Sequence, residues 1–330
     1  MVQRPAKQLD GSTAVPSCPS DAYDERSDPV AETRRESRIH ATMPTFSKSA
    51  LECKQVTARP YQAIDHVVIR TVEAEALYEL FGGQLGLPIT WPLQRAAFAT
   101  FGWIGLGNTN LEIWEAADNS DLPADCVLPL FHQIALAPTQ LDETIAGIQA
   151  TGLACKAPRP YASKDQNGVV HTNFTNSVIL DLSNDACCVF ICEWGDRAPI
   201  APWTPGLTTP QRRAVEREAL NACRGGRLGI VGLRRMALTS RDVPAAVEKW
   251  RRLTGSQRTS IMVADDIELS LFPGSHDRIQ SLTLAVRDLS HARRFLAEND
   301  LLEERAAQDD VVLARRVTGG LTFRLVGDID

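Results

Sequence analysis

The sequence predicts an α+β protein built from four copies of one βαβββ unit, two units to a domain. Three observations carry this. A strand–helix–strand order recurs from residue 64 onward, a proline-rich break splits the copies two and two, and 330 residues suffice for two cores. One mixed sheet with one helix cannot close a core alone, so the units must pair.

Residues 1–58 are rich in Pro, Ser, Asp and Arg with few periodic apolar residues, and are expected to be a disordered tail; Met43 is an alternative start. Residues 59–196 are the expected first domain. There IDHVVIR opens unit one as a strand, an amphipathic helix begins near Val72, and AAFATFGWIGL and NLEIWEA follow as strands. Unit two repeats the order with FHQIALA, a helix opened by Pro138 and Thr139 and ended at Gly152, then VVHTNF, SVILDL and CCVFICEW. Residues 197–228 form a connector marked by Pro199, Pro202, Pro205 and Pro210, with a helix that Thr209 is expected to cap. Residues 229–330 are the expected second domain. LRRMALTS, the helix DVPAAVEKWRRLTG and DIELSLF make unit three; QSLTLAV, DLSHARRFLAENDL, VVLARRV and LTFRLVG make unit four.

A net charge of −6, a pI near 5.6 and no long Lys/Arg cluster argue against a nucleic-acid surface. No apolar run approaches the roughly 18 to 20 residues of a membrane helix, and the first 45 residues lack the apolar centre of a signal peptide. The expectation is a cytoplasmic monomer or homodimer acting on a small molecule, without nucleic-acid or membrane partners. The eight cysteines lack C-x-x-C pairing and read as reduced, mostly buried thiols. Strand alternation sends Cys188 and Cys192 to one face and Cys187 to the other, so CCVFIC offers no common metal site.

Candidate chemistry lies at the first and last strands of units one and two. Unit one presents His66 and Glu112; unit two presents His132 and Glu193. A lone histidine in an apolar strand is ordinarily a satisfied core residue, and a carboxylate at a strand end can face water. Four such residues in a repeated unit favour a metal site, because a divalent cation can hold two carboxylates together in apolar surroundings. Imidazole and carboxylate donors suit one divalent Zn, Fe, Ni, Mn or Co. Glu115 is the rival to Glu112 but lies on the opposite strand face, whereas Trp114 shares the Glu112 face.

Four βαβββ units with IDHVVI, NLEIWE, FHQIAL and FICEWG at these places resemble the vicinal oxygen chelate superfamily. That superfamily includes glyoxalase I, fosfomycin and bleomycin resistance proteins, methylmalonyl-CoA epimerase and extradiol dioxygenases. The resemblance covers about residues 62–328. It implies that paired units form a cupped sheet whose concave face holds one divalent metal, ligated here by His66, Glu112, His132 and Glu193. Units three and four depart from the pattern: Arg235 and Ser281 replace the histidines, Glu268 remains, and LTFRLVG ends without an acid. A metal site is therefore expected only in the first domain, with Arg235 and Glu268 either a buried ion pair or surface charges.

Two His and two Glu resemble the glyoxalase set and imply metal-assisted proton transfer by a lyase or isomerase, with Glu193 or Glu112 as base. Two His and one Glu would instead make the facial triad of an extradiol-type dioxygenase. Should both glutamates turn outward, a metal-free binding or drug-resistance protein is favoured. His171 is a further acid or base candidate. Trp114, Trp103, Arg159 and Tyr161 are candidates for the substrate pocket, the last two on a loop at 157–168 that also carries Lys164. G-x-G-x-x-G, G-K-[ST] and G-x-S-x-G loops are missing, which removes dinucleotide, P-loop and serine-hydrolase readings.

Overall fold

The computed structural model describes residues 59–328 except 165–166, 199, 257–259 and 305–310; the expected tail at 1–58 lies outside the described residues. Unit one comprises β1 (Ala63–Arg70), α1 (Ala74–Tyr78), which continues as a π-helical turn at Glu79–Gln84, β2 (Ile89–Arg95), β3 (Ala99–Gly105) and β4 (Asn110–Ala116). Unit two comprises β5 (Leu130–Ala137), α2 (Leu141–Ala150), β6 (Arg159–Lys164), β7 (Val170–Val178) and β8 (Cys188–Trp194). The connector folds into α3 (Thr209–Ala222). Unit three has β9 (Ile230–Ser240), α4 (Val243–Thr254), β10 (Ile261–Met262) and β11 (Glu268–Pro273). Unit four has β12 (Arg278–Val286), α5 (Leu289–Glu298), β13 (Val311–Val312) and β14 (Thr322–Gly327). Among the described residues, units three and four thus contribute three strands each.

Several elements depart from the sequence expectation. The span expected as a loop holds β6, and β2 was hidden by its own proline. Both Pro92 and Pro160 are tolerated because β2 and β6 each pair on one side only, where a missing N–H costs no ladder bond. SVILDL ends β7 and then turns through a 3₁₀ segment at Leu180–Leu182. The cap of α3 is Thr208, not Thr209: Gln211 Oε1 accepts from the Thr208 N–H at 2.8 Å in a reciprocal capping box.

In every unit the first strand pairs parallel with the last: β1 with β4, β5 with β8, β9 with β11 and β12 with β14. First strands then pair antiparallel, β1 with β5 and β9 with β12, and one pair, Ile279 with Phe131, joins the halves into a 14-stranded sheet. The helices cover one face. There Ile64, Val67, Ile69, Ile134 and Leu136 meet Leu77, Phe81, Ile145 and Ile148 in a core that continues into Met236, Leu282 and Phe323. Asn108 reinforces the seam between halves, its amide donating to Leu233 O at 2.8 Å and accepting from Leu233 N at 2.9 Å. The opposite, inner face of the first half carries a separate aromatic cluster of Trp103, Tyr161, Phe174, Phe190 and Trp194.

Candidate functional site

The pairing of β1 with β5 defines which residues of the two units are equivalent. Val67 faces Ile134, and the pairs on either side, His66 with Ala135 and Val68 with Gln133, are related by a local two-fold through that point. One step back from the axis therefore reaches His66 in unit one and Gln133 in unit two; two steps reach Asp65 and His132. The ladder breaks at Asp65 and again at His132, which corroborates the match. A second observation fixes the last strands. Glu115 Oε2 accepts from the first backbone N–H of α1, Ala74, and Glu193 Oε1 accepts from that of α2, Leu141, both at 2.9 Å. The counterpart of Glu193 is thus Glu115, and that of Glu112 is Phe190.

The four expected metal donors consequently separate. His66 and Glu112 meet, with Nε2 and Oε2 3.3 Å apart. His132 turns aside: its Nε2 donates to Asp185 O at 3.1 Å, while Nδ1 is buried without a hydrogen-bond partner. Glu193 is exposed and caps a helix, where a carboxylate complements the N-terminal dipole. Among the described residues no three His, Cys, Asp or Glu side chains gather where they could hold one metal ion.

Around His66 the structure builds a different constellation. His66 is 2% exposed, its ring 4.5 Å from that of Trp103, 5.8 Å from Phe190 and 6.2 Å from Trp194. Its Nδ1 lies 2.8 Å from Asp65 Oδ1, which also accepts from Trp194 Nε1 at 3.1 Å. Burial pushes the Asp65 carboxyl up, but the hydrogen bond and charge of His66, with Arg213 behind them, prevail and hold it below the ordinary range. An ionised Asp65 can only accept, so Nδ1 carries the proton and Nε2 faces Glu112. Burial raises Glu112 above the ordinary carboxyl value, a shift that His66 and the nearby Trp103 indole oppose and Asp65 adds to. Trp103 Nε1 itself falls short of hydrogen-bond geometry, and Asn176 Oδ1, facing Cys192 across β7 and β8, is likewise buried without a partner.

The remaining candidates divide. Trp103 walls the His66 site, whereas Trp114 stacks with Phe101 at 5.2 Å in a neighbouring cluster with Val68. Tyr161 is buried against Phe174 at 4.8 Å, and Arg159 is exposed over the Tyr161 ring. His171 accepts from Arg197 Nη1 at 2.8 Å, on a half-buried stretch of β7. Arg235 and Glu268 do pair, at 2.9 Å, but 48% and 29% exposed. Cys192 joins the inner aromatic cluster and Cys187 the helix-side core, where burial pushes its thiol up to about 12. Sequence reasoning missed Asp65, Gln133, Phe190, Arg213 and Glu216. Asp65 stood beside His66 in plain view, but strict alternation sends neighbours to opposite faces, and only the irregular ladder brings it alongside.

His132 has a measurable consequence. Burial, with the Arg70 charge adding to it, lowers its pKa to about 4, so it is neutral in the folded chain near pH 7. The unfolded chain takes up that proton near pH 6.5, so stability is lost as pH falls from about 6.5 to about 4 and levels off below. The loss is on the order of 3 kcal/mol. Urea titrations across this range should show it, and His132→Asn should flatten the slope; equal slopes would refute the assignment.

No family model matches the chain, and no curated protein matches it in sequence. Solved structures do match in fold. A mutant of 4-hydroxymandelate synthase from Streptomyces coelicolor aligns with TM-score 0.55 and 11% identity, over 81% of this chain and 93% of that one. A hypothetical protein from Staphylococcus aureus aligns with TM-score 0.52 and 10% identity, over 81% and 99%. A Mn(II)-bound glyoxalase from Novosphingobium aromaticivorans aligns with TM-score 0.50 and 11% identity, over 82% and 83%. The chain shares the α+β fold of these structures, the Mn(II)-bound glyoxalase among them. Among the described residues no helix is long and apolar enough to cross a membrane.

The divalent metal that this fold implies does not fit the residues present. The inner face gives His66 and Glu112, but their counterparts are an amide, Gln133, and a phenyl ring, Phe190. Two strong donors fall short of the three protein ligands of an ordinary catalytic site.

Proposed function

We propose that the first cup is the active site of an enzyme that moves a proton on an oxygenated small molecule, with His66 and Glu112 as the exchanging pair. The observation that carries this is the aligned series Asp65, His66, Glu112. Asp65 Oδ1 lies 2.8 Å from Nδ1 and, as a carboxylate, accepts the Nδ1 proton, which leaves Nε2 and the Glu112 carboxyl, 3.3 Å apart, to share another. Burial raises the Glu112 carboxyl above its ordinary value, the direction that lets it hold a proton beside Nε2. Trp103, Phe190 and Trp194 wall the site with aromatic surface, and the buried Asn176 Oδ1, which lacks a hydrogen-bond partner, offers an acceptor to a substrate hydroxyl. A lyase or isomerase step of this kind runs on the chain's own residues. A dioxygenase facial triad would need a second histidine beside His66, and His132 faces elsewhere.

The test is carbon-bound hydrogen exchange in D2O, followed by 1H NMR, with a panel of aromatic hydroxyketones and hydroxyaldehydes. Wild-type protein should wash out the proton next to the carbonyl, and Glu112→Gln and His66→Gln should each slow this by about 100-fold or more. Wild-type exchange no faster than that of both variants defeats the reading. Tight binding without exchange would instead favour the second reading, a binding protein that uses the same aromatic walls.

A further inference from the structure

We propose that Arg213, on the connector helix α3, is a positioning residue that fixes the His66 tautomer through Asp65. The other residues of α3 are exposed or half-buried, yet Arg213, Glu216 and Leu220 form one buried stripe. The side chains of Arg213 and Glu216 are 8% and 0% exposed. Burying two charges costs several kcal/mol that an apolar pair would not, so the pair is weak evidence for stability and calls for another role.

Its contacts supply that role. Arg213 Nη1 lies 2.7 Å from Glu216 Oε2, and Nη2 lies 3.7 Å from Asp65 Oδ2, close as ion pairs though not aligned as hydrogen bonds. Glu216 Oε1 accepts from Asn110 Nδ2 at 2.8 Å and from Trp203 Nε1 at 3.0 Å, and Arg212 lies over the Trp203 ring at 4.7 Å. A continuous buried series therefore runs Glu216, Arg213, Asp65, His66, Glu112. Three acids stand in it against one permanent cation, Arg213. Without that cation Asp65 would be buried beside Glu112 and Glu216; it would take a proton, donate to Nδ1, and move the imidazole proton to Nε2.

The helix that carries Arg213 belongs to neither unit of the cup, and the second half seats it. Arg217 pairs with Asp266 at 3.1 Å, and Arg287 donates to Arg224 O at 2.6 Å and to Asn221 Oδ1 at 2.9 Å. The second half thereby sets the state of the first. Only the catalytic consequence rests on the proton-transfer reading above; the tautomer is a property of the protein itself.

Long-range 1H–15N NMR of the 15N-labelled full chain, with the His66 signals assigned by their loss in His66→Gln, reads the tautomer directly. Wild type and Arg213→Lys should carry the proton on Nδ1, and Arg213→Met should move it to Nε2 with the other histidine signals in place. Arg213→Gln serves in the same way should the methionine variant fail to fold. In the exchange assay the Met or Gln variant should lower kcat about tenfold or more with KM little changed. A folded Met or Gln variant that keeps the Nδ1 proton overturns the proposal whatever its activity. A moved tautomer in a wild-type protein that exchanges nothing leaves the positioning role standing and removes the proton-transfer reading alone.

Discussion

A Gln133→His, Phe190→Glu double variant is expected to bind Zn2+ or Mn2+ at least about 100-fold more tightly than the native chain, roughly 2.7 kcal/mol. The local two-fold through Val67 and Ile134 places Gln133 where unit one has His66 and Phe190 where it has Glu112. Restoring both residues completes a set of two imidazoles and two carboxylates on one face, a donor set that divalent first-row metals accept. Without metal, a glutamate in place of Phe190, itself 3% exposed, is a buried carboxylate and costs several kcal/mol of stability. Added metal should return much of that, about 2.7 kcal/mol at a hundred times the dissociation constant. Calorimetric titration and thermal melts with and without metal check both halves of the argument. A folded double variant that binds no more tightly than wild type would show that the equivalence is wrong.

The repeat was legible because it rests on periodicity: strands alternate, helices recur every three to four residues, and β1, β5, α2 and β8 stand close to where those patterns place them. The ligand set was misaligned for a related reason. Matching IDHVVI to FHQIAL by their histidines shifts the second unit by one residue, and in a strand one residue is the difference between faces. The helix caps Glu115 and Glu193 held the correct register, but they read as a decoy and a ligand until the α1 and α2 N-termini were seen beside them. Arg213 and Glu216 were illegible outright. Their spacing, three apart on a charged helix, is that of an exposed ion pair, and only tertiary packing against Asp65 and Asn110 makes it a buried one.

The seam between halves supports the other large effect. Phe323, on β14 of unit four, is fully buried between Phe81 at 5.0 Å, in the π-helical turn of unit one, and Phe131 at 5.2 Å, on β5 of unit two. Phe131 is also the residue that pairs with Ile279 across the halves. Three of the four units thus meet at one ring. Phe323→Ala should cost about 3–5 kcal/mol, the sum of lost transfer energy and the cavity left where neither strand can close in. Against a typical total of roughly 5–15 kcal/mol, that is a large fraction. Because the ring belongs to the second half while its neighbours lie in the first, both halves should lose stability together, and urea unfolding followed by tryptophan fluorescence and by far-UV circular dichroism should shift in parallel. Four of the six tryptophans, Trp91, Trp103, Trp194 and Trp203, belong to the inner-face cluster, so an early fluorescence loss at unchanged dichroism would mean that the cup unfolds independently of the seam. The parallel shift is the expected result, since α3, which carries Arg213 to the cup, is itself held by Asp266 and Arg287 from the second half.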